Sequence, residues 1–254
     1  LGLPVGTSDP GTAEAGDLYY KTDTNKIRYY DGTQWNDLAS GGNGGNGGNG
    51  GGGVFTVSNS LSFNSADQAY LTRNISSNIT TFTLSMWVKR HGSARDDIFV
   101  TDSGTGFFFY FHTDGKLKIN TNSGNIFEST GAYRDPSAWY NICINNNGST
   151  FNLYVNGVLD KSVTVSTALT SGAMLFARDR LTSPGNHSDI SLAEIHFVDG
   201  QALDQTEFGQ FDTTTGIWNP KEFSGTYGGA GFHLDFANGA TDSSSNTNNF
   251  TASG

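Results

Sequence analysis

The sequence predicts an all-β protein whose main domain is a sandwich of two antiparallel sheets. Three observations favour this class. A meander of alternating apolar and polar residues lies in the middle of the chain. About a dozen short strand patterns follow one another, with turn residues between them. Aromatic residues make up 13% of a composition that is only 35% hydrophobic, which is typical of a thin core between packed sheets.

The first 40 residues predict a small β-hairpin module. Asp17–Lys21, Lys26–Tyr30 and Gln34–Asn36 have strand patterns and are separated by short turns. So short a segment buries too little surface to be stable alone. It is therefore either a decorative hairpin or an attachment and oligomerisation module.

Residues 41–53 predict a linker, because they consist only of Gly and Asn. A flexible coil is the usual behaviour of such a composition. The period of three also allows an ordered bundle of several chains with Gly at a crowded axis.

The main domain is predicted over residues 54–236, and its central element is the meander at 138–165. Asn147-Gly148 and Asn156-Gly157 mark the two reversals, because Asn-Gly readily adopts the positive φ angles of tight hairpins. A second sheet must cover the apolar face of the meander. The residues expected on that face are Tyr140, Ile142, Ile144, Phe151, Leu153, Val155, Leu159, Val163 and Val165.

Two further segments complete the predicted organisation. Leu203–Phe208 is the one helix candidate, with Asp204 as its cap and Glu207 three residues on. Residues 237–254 are predicted to be a C-terminal tail that leads into further sequence.

Charge and cysteine content exclude several functions. The net charge is −10, from 14 basic and 24 acidic residues, which argues against nucleic acid and against docking on anionic membranes. No apolar run approaches the ~20 residues that a membrane-spanning helix needs. Cys143 is the one cysteine, so the chain has no internal disulfide; we expect it to be a small hydrophobic residue in a strand.

Four motifs resemble the laminin-G-like, concanavalin A-like jelly roll, and their order and spacing fit that family over about residues 60–210. They are Phe82-Thr-Leu-Ser-Met-Trp-Val-Lys, Trp139-Tyr-Asn-Ile, the run from Gly148 to Val158, and Ala193-Glu-Ile-His-Phe-Val-Asp-Gly. The resemblance implies two antiparallel sheets, one of them concave, and it implies a structural hydrogen bond for Glu194.

A narrower resemblance is to lectin-like domains of tailed-phage structural proteins, of the type found in phages of marine bacteria and cyanobacteria. It rests on Asp199-Gly-Gln-Ala-Leu-Asp, Gly216-Ile-Trp-Asn-Pro-Lys, the run from Gly225 to Phe236, and Asp242-Ser-Ser-Ser-Asn, and on the similarity of residues 11–35 to a module of phage fibres. The resemblance implies a tail fibre, appendage or decoration protein on the virion surface. We expect a homo-oligomer, with a trimer favoured, whose residues 1–40 contact other virion proteins and whose head contacts host glycan or a virion neighbour. A soluble lectin-like module without a virion role is the alternative.

The sequence lacks the motifs of an enzyme. Glycoside hydrolases of this fold need two facing carboxylates, and the Glu-x-Asp-x-x-Glu strand that carries them in the family is absent. Gly-x-Ser-x-Gly is also absent. We therefore expect a binding protein, with a hydrolase as the least favoured alternative.

Two candidate sites follow from the strand patterns. Phe108, Tyr110 and His112 share the face of one strand opposite to Phe107, Phe109 and Phe111, and this second aromatic face meets either a ligand such as a sugar or a covering layer. Asp102 and Asp114 lie in turns that a hairpin could bring together as a calcium site, or they are ordinary turn residues. No other cofactor is expected.

Overall fold

The computed structural model describes residues 3–37, 55–103, 106–181 and 185–254. These divide into two compact units, one within residues 1–52 and one within 53–254. The predicted linker at 41–53 lies outside the described residues.

The N-terminal unit is a four-stranded sheet in the order β1-β2-β3-β4. The antiparallel strands β2–β4 agree with the predicted hairpins, and the sequence analysis missed β1, which pairs in parallel with β2. Tyr19 is the only hydrophobic side chain buried among the described residues of this unit, and it contacts the Trp35 ring edge to face at 4.8 Å. The strands are β1 Val5–Gly6, β2 Leu18–Lys21, β3 Lys26–Tyr30 and β4 Trp35–Asp37.

The second unit is the expected sandwich of two seven-stranded sheets. Its strands are β5 Leu61–Phe63, β6 Tyr70–Ile75, β7 Thr81–Arg90, β8 Asp96–Asp102, β9 Phe107–Phe111, β10 Leu117–Thr121, β11 Gly124–Glu128, β12 Tyr140–Asn147, β13 Thr150–Val155, β14 Val158–Thr164, β15 Gly172–Phe176, β16 Ile190–Asp199, β17 Gly209–Phe211, β18 Trp218–Pro220, β19 Phe232–Leu234 and β20 Thr251–Ser253. Sheet I has the order β14-β13-β12-β7-β16-β19, with β5 also paired to β16. Sheet II has the order β11-β10-β9-β8-β15-β6-β20. A hairpin of β17 and β18 and two 3₁₀ turns, Ser65–Asp67 and Gln205–Glu207, complete the unit.

The core between the sheets is aromatic, as the composition indicates. The Phe82 ring of sheet I stacks on Phe197 at 5.6 Å and contacts the edge of Phe107 from sheet II at 6.3 Å. Phe176 of sheet II meets Phe232 of sheet I at 6.2 Å. These contacts join the two sheets directly, and pairs of this kind stabilise the fold beyond their buried area.

The predicted meander is present as β12-β13-β14, with one correction. Leu159, expected on the core face, is 51% exposed. The pairing of β13 with β14 shifts register between Leu153 and Tyr154, which skips Asp160 and reverses the alternation. The bulge turns the Asp160 carboxylate towards the 130–133 loop, where it accepts hydrogen bonds from the Gly131 amide at 2.9 Å and the Tyr133 hydroxyl at 2.6 Å.

Two boundary predictions also need correction. The helix expected at 203–208 is a single 3₁₀ turn at Gln205–Glu207, although Asp204 caps it as predicted by accepting from the Thr206 amide. The segment predicted to be a tail belongs to the sandwich, because β20 pairs with β6 and Phe250 lies in the core. None of the helices in the described parts of the chain is long and apolar enough to cross a bilayer.

Candidate functional site

A groove of about 540 Å³ lies on the outer face of sheet I. Trp87 points outward from β7, because Met86 and Val88 on either side of it point into the core. Ala193 of β16 is directly opposite Trp87 in the register. Since Ala193 has only a methyl group, the sheet surface beside the indole stays open and forms the floor of the groove.

The walls of the groove are apolar and amide-bearing and carry no charge. Trp139, which precedes β12, is 37% exposed at its rim. Hydroxyl and amide side chains from the segment before β5 and from β18 provide polar groups. The other described residues that line the groove are Phe55, Thr56, Val57, Ser58, Asn59, Ser60, Asn219 and Pro220.

The β17–β18 hairpin fixes one wall of the groove. Trp218 of β18 is buried against sheet I, and its Nε1 donates to Asn141 Oδ1 at 2.9 Å. Gly157 and Gly209 pack directly on this indole, where a Cβ atom on either would collide with the ring. Gly157 also has φ +77°, a conformation that favours glycine. The close approach of both glycines holds Asn219, next to Trp218, at the groove.

The aromatic face predicted on β9 is covered by arginines. Phe108 and Tyr110 are only 7% and 4% exposed, and the guanidinium groups of Arg180 and Arg95 lie over their rings at 5.5 and 4.1 Å. The covering-layer alternative therefore describes these two rings, which are not open to direct stacking by a sugar, and ligand binding by this face stays a prediction. His112 remains partly exposed, with its Nδ1 3.1 Å from Asp114 Oδ2.

The structure does not bring the two predicted calcium ligands together. Asp102 follows Thr101, which pairs with Phe107 at one end of β9, whereas Asp114 lies in the turn after Phe111 at the other end. Five strand residues span roughly 13 Å, so the two carboxylates cannot share one ion. Asp102 instead accepts from the Leu181 amide at 2.6 Å.

A buried cluster of titratable residues lies on the same face of sheet I as the groove. Glu194 Oε2 accepts from His233 Nε2 at 2.8 Å and is 3.6 Å from His196 Nε2, and His196 Nδ1 is 2.8 Å from the Tyr227 hydroxyl. Glu194 has φ +46° at the β16 bulge, and this backbone turns its side chain to the outer face beside His196. The cluster thereby joins β16 to β19 and to the segment around Tyr227.

The electrostatics of this cluster favour an ionised Glu194 beside a neutral His196. Burial opposes ionisation of Glu194, but hydrogen bonds from His196 and His233 outweigh it and lower its pKa to about 2. Burial lowers the pKa of His196 to about 4, although its hydrogen bond to Glu194 opposes the shift. Neutral His196 then carries its proton on Nε2, facing Glu194, and accepts at Nδ1 from the Tyr227 hydroxyl.

Among the described residues, Glu194, His196 and His233 form a group of metal-ligand types whose ligand atoms lie within 4.8 Å of one another. The rings of His196 and His233, however, are stacked 4.1 Å apart at 16°. An imidazole donates its lone pair in the plane of its ring, so two nearly parallel rings do not aim at one ion. The geometry fits the structural hydrogen bond expected for Glu194.

Two carboxylates line a separate cavity of about 350 Å³, but both already have partners. Asp189 accepts from the Ser65 amide at 2.7 Å and the Ser65 hydroxyl at 2.9 Å. Asp96 accepts from the Asp189 amide at 3.2 Å and pairs with buried Arg90 at 3.4 Å. Burial raises the pKa of Asp96 to about 6. These contacts give both groups structural roles, and the expectation that the chain is not an enzyme stays a prediction.

The chain belongs to the concanavalin A-like lectin/glucanases superfamily, because the family model matches residues 59–208, more than half of its length. No curated protein matches it in sequence. A candidate carbohydrate-binding protein from Bacteroides ovatus is similar in structure, with a TM-score of 0.50 and 13% identity over 77% of this chain and 58% of that one. That likeness supports the fold assignment.

Two other solved structures are more distant. A heptameric SAP-like pentraxin from Limulus polyphemus has a TM-score of 0.46 and 15% identity, over 57% of this chain and 76% of that one. A Ruminococcus gnavus sialidase module bound to sialyllactose has a TM-score of 0.35 and 13% identity, over 45% of this chain and 74% of that one.

The groove was not among the sites predicted from the sequence, although a signal for it was present. The alternation that directs Phe82, Leu84, Met86 and Val88 inward also directs Trp87 outward. An outward tryptophan on a central strand is exceptional enough to mark a surface site. The hairpin and the segment before β5 that enclose it come from distant parts of the sequence, which no local pattern connects.

Proposed function

We propose that the sandwich binds a neutral saccharide in the tryptophan-lined groove. The observation that carries this proposal is the pairing of Trp87 and Trp139 with amide and hydroxyl groups in an uncharged groove. Sugar rings stack on indole through their C–H faces and exchange hydrogen bonds with amides and hydroxyls. The absence of charge from the described lining favours a neutral sugar over an acidic or basic one.

Family membership supports this proposal at the level of fold. The superfamily contains both lectins and glucanases, as its name states, and the structurally similar Bacteroides ovatus protein is a candidate carbohydrate-binding protein. Fold alone does not determine function, so the groove itself carries the argument.

Replacing Trp139 tests the proposal. We expect the full chain to bind at least one neutral glycan on an array, with a change in tryptophan fluorescence on titration. Trp139→Ala should weaken that binding about ten-fold, because it removes one aromatic surface from the rim. Leu159→Ala is the matched control, since it truncates another exposed apolar residue away from the groove and should leave the affinity unchanged.

Two outcomes would contradict the saccharide proposal. One is the absence of binding to every neutral glycan. The other is binding that Trp139→Ala leaves intact while circular dichroism shows both variants folded.

We propose, second, that several copies of the chain assemble into a virion appendage at the surface of a phage particle. The observation that favours assembly is an apolar face of the N-terminal sheet that is exposed among the described residues. The pairs Leu18 with Tyr29 and Tyr20 with Ile27 put four apolar side chains on one face, and Val5 is paired with Tyr20. Leu18, Ile27 and Val5 are exposed, as expected of a surface that another chain covers.

Light scattering tests the assembly. We expect an oligomer, with a trimer favoured, at micromolar concentration, and dissociation when Ile27→Lys places a charge in the apolar face. Val158→Lys, at an exposed position of the sandwich, is the control and should not change the mass. A wild-type monomer would contradict the assembly proposal, and labelling of phage particles by antibodies to the chain would test the virion location.

A further inference from the structure

The outer face of sheet II carries arginines stacked on aromatic rings, and carboxylates accompany its basic groups, as Asp97 does Arg95 at 2.6 Å and Glu128 does Lys118 at 3.2 Å. Three of the seven arginines lie over aromatic rings there: Arg95 over Tyr110, Arg180 over Phe108 and Arg178 over Tyr70, at 4.1, 5.5 and 4.6 Å. Stacking on a ring leaves the edge of a planar guanidinium able to donate hydrogen bonds. This face is on the opposite side of the sandwich from the tryptophan-lined groove.

A cavity of about 270 Å³ opens between two of these arginines. It is lined by Arg95, Phe108, Asn120, Thr121, Asn122 and Arg180, among which there is no acidic residue. The lining of this cavity is therefore positively charged, unlike that of the groove on sheet I.

The carboxylates nearest to these arginines are engaged elsewhere or lie behind them. Asp97 is fully buried beneath Arg95 and accepts from its Nη2 at 2.6 Å and from its Nε at 3.1 Å, so the Nε edge of that guanidinium is already occupied. Asp179 accepts from the Asn186 amide and side chain at 2.8 and 3.0 Å, and it is 3.8 Å from Arg180 Nε. The Arg180 guanidinium thus keeps donors for an anion that enters the cavity.

Asn120 places in the cavity an acceptor oxygen that a hydrogen-bond donor on the ligand would satisfy. Its Nδ2 donates to the Tyr110 hydroxyl at 2.8 Å. Its Oδ1 is buried and accepts no hydrogen bond from the described residues, and a buried acceptor left in this state costs free energy. A bare anion would be repelled by this oxygen, whereas a hydroxyl group would satisfy it.

We propose that this cavity binds an acidic saccharide unit, a single sugar ring that carries a carboxylate or sulfate group. The anionic group pairs with Arg180 and with the free edge of Arg95, and a ring hydroxyl donates to Asn120 Oδ1. The site is separate from the tryptophan-lined groove, so the two faces of the sandwich recognise chemically different sugars.

Titration calorimetry on the full chain tests this site with five probes: D-glucuronate, glucose 6-sulfate, glucose, sodium sulfate and N-acetylglutamate amide. We expect millimolar binding of glucuronate or the sulfated sugar, and weaker binding of the other three. Arg180→Gln should weaken binding of the acidic sugar about ten-fold, because it removes a charge-assisted hydrogen bond. Asn120→Asp, an isosteric change, should weaken binding of the acidic sugar as strongly, because it places a negative charge where the ring hydroxyl binds.

Arg134→Gln is the matched control, since it removes an exposed arginine from another loop, and it should leave the affinity unchanged. Melting curves establish that each variant is folded. The proposal is overturned if neither acidic sugar binds. It is also overturned if Arg180→Gln and Asn120→Asp bind as the wild type does, or if sulfate or the glutamate derivative binds as tightly as the sugars. Loss of the acidic sugar with Trp139→Ala alone would assign that binding to the groove.

Discussion

At the scale of single residues, the outward face of sheet I carries both the candidate groove and the buried cluster of Glu194, His196 and His233. Trp87 and Ala193 form the floor of the groove, and the next residue, Glu194, turns at the bulge to hold His196 and His233. The hydrogen-bonded cluster therefore fixes the strand that carries Ala193, and on the proposed function this reduces the freedom that binding would otherwise have to remove.

The buried His196 predicts a pH dependence of stability. Its folded pKa is about 4, below the ordinary value of 6.5. Between pH 6.5 and 4 the unfolded chain therefore binds a proton that the folded chain does not. The free energy of unfolding should fall as the pH falls through this window. Glu194, His233, Tyr227 and Asp235 are the titratable groups that face His196.

The test compares how far the free energy of unfolding falls with pH in the wild type and in His196→Asn. The asparagine amide can still accept a hydrogen bond from Tyr227. Burial raises the pKa of Asp96 and Asp97 to about 6, so these residues oppose the effect of His196 in the same range, and both proteins share them. Denaturant melts at pH 7 and pH 4 should show a smaller loss of stability in the variant. An equal loss in both proteins would show that His196 does not carry the dependence.

At the scale of elements, the sequence predicted most strands because each signal was local. The alternation of Phe82, Leu84 and Met86 and the Asn-Gly turns of the meander act within one hairpin. The errors arose where pairing is distant. β20 was not predicted, because Thr251–Ser253 is too short for a periodic signal and is ordered by β6, far away in the sequence. Leu159 was misplaced because a bulge gives no sign in the residue alternation.

The unpredicted strand β20 should contribute to the stability of the whole sandwich. Phe250, next to it, meets Phe232 at 4.7 Å and Phe176 at 5.5 Å. Phe250→Ala should lower the free energy of unfolding by about 3 kcal/mol, the cost of a large cavity in a core. Thr251→Ala, at the exposed neighbouring position, should change it little. Urea denaturation of both variants measures the difference, and equal midpoints would show that Phe250 is dispensable.

The Asp242-Ser-Ser-Ser-Asn segment is hydrogen-bonded to β19 and to the loop that precedes it. The Asp242 carboxylate accepts from the His233, Ser244 and Asn248 amides at 2.9, 2.9 and 2.7 Å. Asn246 and Asn248 donate to the Gly231 carbonyl at 2.9 and 2.8 Å. The motif that contributed to the phage resemblance therefore has a structural reason of its own, because it fixes the glycine-rich loop that precedes β19.

At the scale of the whole molecule, the chain consists of two units with very different interiors. The sandwich has a continuous core, whereas the described part of the N-terminal unit buries one hydrophobic side chain. The sequence predicted this contrast from length alone, since short modules bury little surface. It could not place the groove or the arginine-lined cavity, because both form only when segments distant in sequence meet.

The sandwich should fold independently of the first unit. A fragment of residues 55–254 should melt within about 2 °C of the main transition of the full chain, because every core contact lies inside it. Differential scanning calorimetry of both proteins measures this. A transition lowered by several degrees would show that residues 1–52 stabilise the sandwich directly.

The reactivity of Cys143 can be used to measure how the layer that covers it opens. The thiol is fully buried on the outer face of sheet I, packed with Val198 and Phe208, and burial raises its pKa well above the ordinary range. A disulfide reagent such as Ellman's can reach it only when the layer containing Phe208 lifts from the sheet. Because the chain has no other sulfhydryl group, the labelling rate reports the opening of that layer alone. Slower labelling with sugar present would show that occupancy of the neighbouring groove stabilises the closed layer.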